Sequence, residues 1–209
     1  MKKVEEGRRS LKAVDEGRRS STTPDGRRRP RRDAAARGRG RRRGRLAADC
    51  VGMLKVGERA PEIDTLAIDG QRFVLSAQGG LCTVVYFFPK AFTPSCTVEA
   101  QLFRDNHAEI ALAGASIVGV STDDHRTQCR FAEAQKVPYP MIADRDRSVC
   151  RAYGVLWPLI GLARRITYVV TPALEIAAVF HHELQARKHR DDVLSFIDKR
   201  FRAARPSAG

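Results

Sequence analysis

From Val56 onward the apolar positions fall into short blocks whose spacing alternates between strand and helix periods. PEIDTLAIDGQRFVLSA carries two short apolar segments around Asp69-Gly70, which predicts a β-hairpin. Leu81 to Phe88, LCTVVYFF, is an unbroken apolar, β-branched and aromatic run, as expected of a central strand buried on both faces. From Thr97 to Ala113, Val98, Leu102, Phe103, Ile110 and Leu112 recur at mixed helical spacing, and Gly114 ends the pattern. ASIVGVST (115–122) predicts the next strand and 125–136 the next helix. PMIAD (140–144) predicts a short strand, and DRSVCRAYG a short helix ending at Gly154. ITYVVTP and EIAAVFHH predict a strand pair with a turn near Pro172, and DDVLSFIDKRF closes the chain as an amphipathic helix.

This order of elements implies an α/β class protein, a three-layer sandwich around a central mixed β-sheet. It fits a thioredoxin-like fold with an N-terminal β-hairpin extension. Such a fold hosts many chemistries, so function has to come from a site.

Charge divides the chain in two. Residues 1–52 hold 18 Lys/Arg and 7 Asp/Glu, a net of +11 (18 − 7), whereas residues 53–209 hold 20 and 17, a net of +3. The second part is long enough for one domain with a full core. KKVEEGRRS (2–10) returns almost unchanged in LKAVDEGRRS (11–20), and an Arg/Gly/Pro/Ala-rich run follows to about residue 47. Too few apolar side chains are present to offset the entropy of ordering, so residues 1–52 are expected to be a disordered extension. Clustered arginine favours a weak, non-specific nucleic-acid contact; no aromatic residue offers base stacking. The seven acidic residues argue against a transit peptide. On the plainest reading the extension has no role, because Met53 opens MLKVGERAPEI, a natural start for the domain. No apolar run reaches the roughly 20 residues that span a bilayer, and no secretory pattern follows the arginines. The expected compartment is the cytoplasm, with no membrane partner.

Five cysteines stand at 50, 82, 96, 129 and 150, and no two form a C-x-x-C pair. Zinc binding and thioredoxin-type dithiol chemistry are therefore disfavoured. Thiols are the expected resting state in a reducing compartment. Between the predicted central strand and long helix lies PKAFTPSC, residues 89–96. Thr93 can cap the helix, and Pro94 suits its first position, where a missing N–H does no harm. Cys96 then falls in the first turn, where the helix dipole and free N–H groups favour an anion. Such a place lowers a thiol pKa from about 8.5 towards 7 or below and provides thiolate at neutral pH. The rival reading is a small buried hydrophobe at a helix start.

Pro89, Thr93 and Cys96 form PxxxTxxC, which resembles the active-site signature of peroxiredoxins. The longer string VVYFFPKAFTPSCTVEAQLFRD is similar to the Q-type, or bacterioferritin-comigratory, subgroup. The similarity runs from about Leu54 to the last helix, through ASIVGVSTD, RFAEAQKVPYPMIAD and AYGV. The resemblance implies that Cys96 is the peroxidatic nucleophile, that the Thr93 hydroxyl bonds the thiolate and the incoming peroxide, and that Pro89 shields the sulfur from water. It also implies an Arg at the start of a late strand, which ARRITYVVT offers as Arg165. A fixed guanidinium can stabilise the thiolate and bind the peroxide and the developing alkoxide. Arg164 is read as a solvated charge. Glu99 can orient Arg165 through a salt bridge, or serve as an ordinary first-turn acid.

The implied function is an antioxidant thiol peroxidase acting on hydrogen peroxide and organic hydroperoxides through a Cys96 sulfenic acid. The resemblance further implies a cytoplasmic oxidoreductase of cell redox homeostasis, expected to work as a monomer or dimer. The reaction needs no metal, haem or other cofactor. Thioredoxin or a glutaredoxin-type thiol is the implied reductant. Many members of the subgroup carry a resolving Cys five residues after the nucleophile, but here that position is Gln101. Cys129, in the helix after ASIVGVSTD, is the candidate resolving cysteine; the alternative is direct reduction by an external thiol. Pairing Cys129 with Cys96 requires local unwinding. Cys150 and Cys82 are read as packed, inert thiols. Ser95, where the family often has Gly, is a smaller departure. The five histidines, 107, 125, 181, 182 and 189, show no metal-ligand spacing and are read as structural or solvated. Two rivals are weaker. A thiol–disulfide oxidoreductase needs a second Cys where Thr93 stands, and a nucleic-acid-associated protein rests wholly on residues 1–52.

Overall fold

A computed structural model of the protein describes residues 52–181 and 186–201. The expectations for the extension up to residue 51, for Cys50 and for His182 fall outside the described residues, as does the side chain of His189.

The LCTVVYFF run forms β3 (Cys82–Phe87), and every residue in it is buried. Alternation explains how one strand serves two cores. Cys82, Val84, Tyr86 and Phe88 enter one cluster with Phe103, Ile110, Phe131, Val193 and Ile197. Val85 and Phe87 enter the other with Ile63, Phe73, Cys150 and Tyr153. β3 is thus the middle of three layers. β4 (Ala115–Ser121) pairs with it in parallel, β5 (Met141–Ala143) extends that side in parallel, and β6 (Ile166–Val170) lies antiparallel on the other flank. β7 (Ile176–His181) closes that edge antiparallel to β6, which gives the order β5-β4-β3-β6-β7. The sheet is mixed, as the order of elements implies. The hairpin is present as β1 (Asp64–Leu66) and β2 (Arg72–Val74), and Gly70 supplies the positive φ of its turn at 80°.

The helices that matter for the site are α1 (Pro94–Asp105) and α3 (His125–Gln135). α4 (Ser148–Ala152) and α5 (Ala186–Phe201) complete the fold. The single long helix expected to end at Gly114 is broken at Asn106, and α2 (His107–Leu112) follows as a separate short helix. The Asn106 side chain donates to the Leu102 carbonyl at 2.8 Å, the local competition that makes Asn a poor interior helix residue. Of the apolar positions in this stretch, Phe103 and Ile110 are buried. Val98 and Leu112 are exposed, while Cys96, Glu99, Ala100 and Phe103 face inward.

Phe103 anchors α1 to the sheet, its ring 4.8 Å from that of Tyr86. Phe103→Ala is expected to cost about 3–5 kcal/mol in urea unfolding, the usual range for emptying a buried aromatic site. Leu112→Ala, at an 81% exposed position, should stay within about 0.5 kcal/mol of wild type. Equal losses in the two variants would contradict this packing.

Candidate active site

The β3 ladder ends where Pro89 removes a donor, and the chain crosses to α1 through residues 89–93. Two bonds hold this crossing. The Ala91 N–H donates to Asp123 Oδ2 at 2.7 Å, and the Thr93 hydroxyl donates to the Lys90 carbonyl at 3.0 Å. Asp123 is itself fixed by the Ser121 hydroxyl at 2.9 Å, so the end of β4 clamps the loop. Phe92 adopts φ 62°, a left-handed conformation that costs a bulky residue strain, and its half-exposed ring meets Phe131 edge-on at 5.4 Å.

Thr93 is the N-cap residue and Pro94 opens the helix, as the sequence implies, but the Thr93 hydroxyl makes no cap bond. Its proton is directed to Lys90, and its lone pairs stay available to accept a hydrogen bond. The first i to i−4 bond runs from Thr97 N–H to the Thr93 carbonyl at 2.9 Å. The N–H groups of Ser95 and Cys96 precede it and therefore belong to the set a helix leaves unpaired.

Cys96 is 1% exposed, and a cation lies against it. Arg165, immediately before β6, donates from Nη2 to Cys96 Sγ at 3.1 Å and from Nη1 to Glu99 Oε2. Arg165 and Glu99 are buried as well. Burial alone would lower the Arg165 pKa, but the Glu99 carboxylate and the Cys96 sulfur outweigh it and raise the value above the ordinary one. The guanidinium therefore stays charged. One fork of Arg165 spans sulfur and carboxylate, a geometry that a single-point lysine cannot reproduce. A helix N-terminus and a fixed cation converge on one sulfur. Beneath it, the Tyr86 hydroxyl lies 3.1 Å from that of Tyr139, which in turn donates to the Ala100 carbonyl at 3.2 Å. Burial pushes the Tyr86 pKa far up, so the floor of the site is neutral.

The structure thus brings Cys96, Arg165 and Glu99 into direct contact and puts Thr93 and a half-buried Pro89 on the connecting loop. It does not bring Cys129 to them. Cys129 is half-buried on α3, and both sulfurs are free thiols. Gln101 donates to Gln135 at 2.9 Å, and Arg104 donates to the Gln135 carbonyl at 2.8 Å, so α1 and α3 are tied side by side. Cys82 and Cys150 are buried; desolvation pushes the Cys82 thiol up to about 12 and raises that of Cys150 well above its ordinary value. Neither is a nucleophile near neutral pH.

Two readings change. Arg164 is half-buried with its guanidinium 4.6 Å above the Trp157 ring, a cation–π contact rather than a solvated charge. His125 is not merely solvated; its ring lies against Cys129. Sequence reasoning assigned no role to Asp123, and the only available signal was its place just past the predicted strand end. A cavity of about 260 Å³ between the hairpin and α4, lined by Glu62, Asp64, Asp144 and Tyr153 among others, shares no residue with the Cys96 site.

Comparison with known proteins agrees with this geometry. The sequence profile of the AhpC/TSA family matches residues 56–179. Over 151 residues the chain is 34% identical to chloroplastic peroxiredoxin Q of Suaeda salsa, covering 72% of this chain and 71% of that one. Over 150 residues it is 33% identical to peroxiredoxin Bcp of Escherichia coli K12, covering 69% and 96%. The crystal structure of peroxidoxin BcpB from Mycobacterium tuberculosis superposes with a TM-score of 0.65 at 33% identity, covering 73% of this chain and 99% of that one.

Proposed function

This chain belongs to the AhpC/TSA family, among its peroxiredoxin Q and Bcp members, and is a thiol-dependent peroxidase; from that premise we propose that Cys96 is its peroxidatic residue within residues 53–209. The observation that carries the assignment is the 3.1 Å bond from Arg165 Nη2 to Cys96 Sγ, made at the start of α1.

The Cys96 thiolate attacks the outer oxygen of a hydroperoxide in line with the O–O bond. An S–O bond forms as O–O breaks, and the departing alkoxide or hydroxide takes up a proton to leave as alcohol or water. Arg165 supports the charge as it moves from sulfur to the leaving oxygen. Glu99 holds Arg165 in place and is a positioning residue. Thr93 accepts a hydrogen bond from the peroxide O–H, and Pro89 limits water at the sulfur. A residue that is only 1% exposed suits a small oxidant better than a protein disulfide, which counts against the oxidoreductase rival.

Cys96 sulfenic acid then condenses with Cys129, and thioredoxin or a glutaredoxin-type thiol reduces the disulfide. This step requires local opening of α1 or α3, because a disulfide needs Cα atoms within about 7 Å. A cytoplasmic setting fits such reductants. Among the described residues no helix is long and apolar enough to cross a membrane.

The test is stopped-flow peroxide consumption with intact-mass analysis after quenching. One equivalent of peroxide should first add one oxygen at Cys96. In the wild type, two hydrogens should then be lost overall as the disulfide replaces the sulfenic acid. Cys129→Ser should retain the oxygen and recycle with thioredoxin slower by about tenfold or more, since the resolving thiolate is gone. Wild-type recycling in Cys129→Ser would assign the chain a one-Cys mechanism.

A further inference from the structure

His125 is the first residue of α3, and Cys129 follows one turn later on the same helix. Residues at this spacing stack on one face. Cys129 Sγ lies 3.5 Å from His125 Nδ1 and 3.8 Å from Nε2. Both nitrogens lie within the reach of a sulfur hydrogen bond. In either neutral tautomer one bare nitrogen is therefore within reach of the thiol proton. The other partner of the sulfur is the Ile68 carbonyl, at a long 3.7 Å. Cys129 is half-buried and His125 exposed, so the pair is open to solvent, unlike the buried Cys82 and Cys150.

We propose that His125 acts as the base for Cys129, making the two a His–Cys pair that prepares the resolving thiolate. The inference rests on the resolving role given to Cys129 above. His125 takes the Cys129 thiol proton while α3 is still folded. The thiolate then attacks the sulfur of Cys96 sulfenic acid. The S–S bond forms as S–O breaks, and the departing hydroxide receives the proton from the imidazolium and leaves as water. Asp124 holds this turn of the helix, accepting from Thr127 N–H at 2.9 Å and the Thr127 hydroxyl at 3.1 Å, so the pair is pre-formed.

Two arms on the full chain test this. In a Cys96→Ser background, labelling of Cys129 by iodoacetamide at neutral pH is followed by peptide mass, with and without His125→Ala. Loss of the imidazole should slow labelling about tenfold, and added free imidazole should restore much of the rate. A purely structural role for His125 would show no such rescue. In the second arm, with Cys96 intact, quenched single turnovers of His125→Gln should accumulate Cys96 sulfenic acid before the disulfide forms. Equal labelling rates with and without His125 would overturn the pair. A wild-type chain that never forms the Cys96–Cys129 disulfide would overturn the resolving role itself, and the labelling arm tells the two failures apart.

Discussion

Cys96→Ser is expected to leave a folded protein that consumes peroxide no faster than buffer, a loss on the order of a million-fold, as when a nucleophile is removed. The fold should survive because Ser is close in size to the buried thiol it replaces, and its hydroxyl can accept the Arg165 bond that the sulfur now receives. No other described cysteine can substitute. Cys82 and Cys150 are held protonated by burial, and Cys129 lacks the guanidinium. Peroxide consumption by coupled assay reads this directly, and activity surviving in Cys96→Ser would place the nucleophile elsewhere.

The second large effect belongs to Arg165. Arg165→Gln should lower the rate of the first oxidation by about 10²–10³-fold, the usual cost of losing one preorganised charge-stabilising donor. The same change takes one partner out of the buried Arg165–Glu99 pair and should destabilise the fold by about 3–5 kcal/mol. The two effects can be separated. The double variant Glu99→Gln with Arg165→Gln removes both charges of the buried pair, so it should recover much of the stability and none of the rate. Arg165→Lys should retain part of the rate, because charge remains but the fork spanning Cys96 and Glu99 is lost. Melting temperature and burst rate, measured on the same samples, check both. Trp157, the only tryptophan in the chain, provides a signal, since it lies under Arg164, the neighbour of Arg165.

Much of the fold was legible because its strands are written as continuous runs. LCTVVYFF and ITYVV carry no charged residue, and each became a fully buried strand. The break at Asn106 was not legible, because apolar spacing continues across it and only the side chain's competing bond interrupts the helix. Burial within α1 was misjudged for a related reason. Periodicity selects apolar faces, and here a charged Glu99 turns inward while Val98 turns out. That inversion depends on Arg165, 66 residues away in the chain, which no local pattern encodes.

The site divides in the same way. Thr93, Pro94 and Cys96 lie within one local motif, so their order at the helix start followed from capping rules. The anchoring of the loop by Asp123 joins positions 32 residues apart, and its place just past the predicted strand end does not reveal that partner. The pairing of His125 with Cys129 was local and visible at i, i+4 spacing, yet a metal-ligand search passes over it because a single Cys and His do not form a binding set.

The whole account turns on whether the Arg165-bonded sulfur at the start of α1 is the atom that meets peroxide first. Rapid-quench oxidation with one equivalent of hydrogen peroxide, followed by peptide mapping of every cysteine, measures this most directly. The account predicts that the first oxygen appears on Cys96, and that Arg165→Gln delays it by about 10²–10³-fold. First oxidation at Cys129, Cys82 or Cys150, or an undiminished rate at Cys96 without the guanidinium, would contradict it.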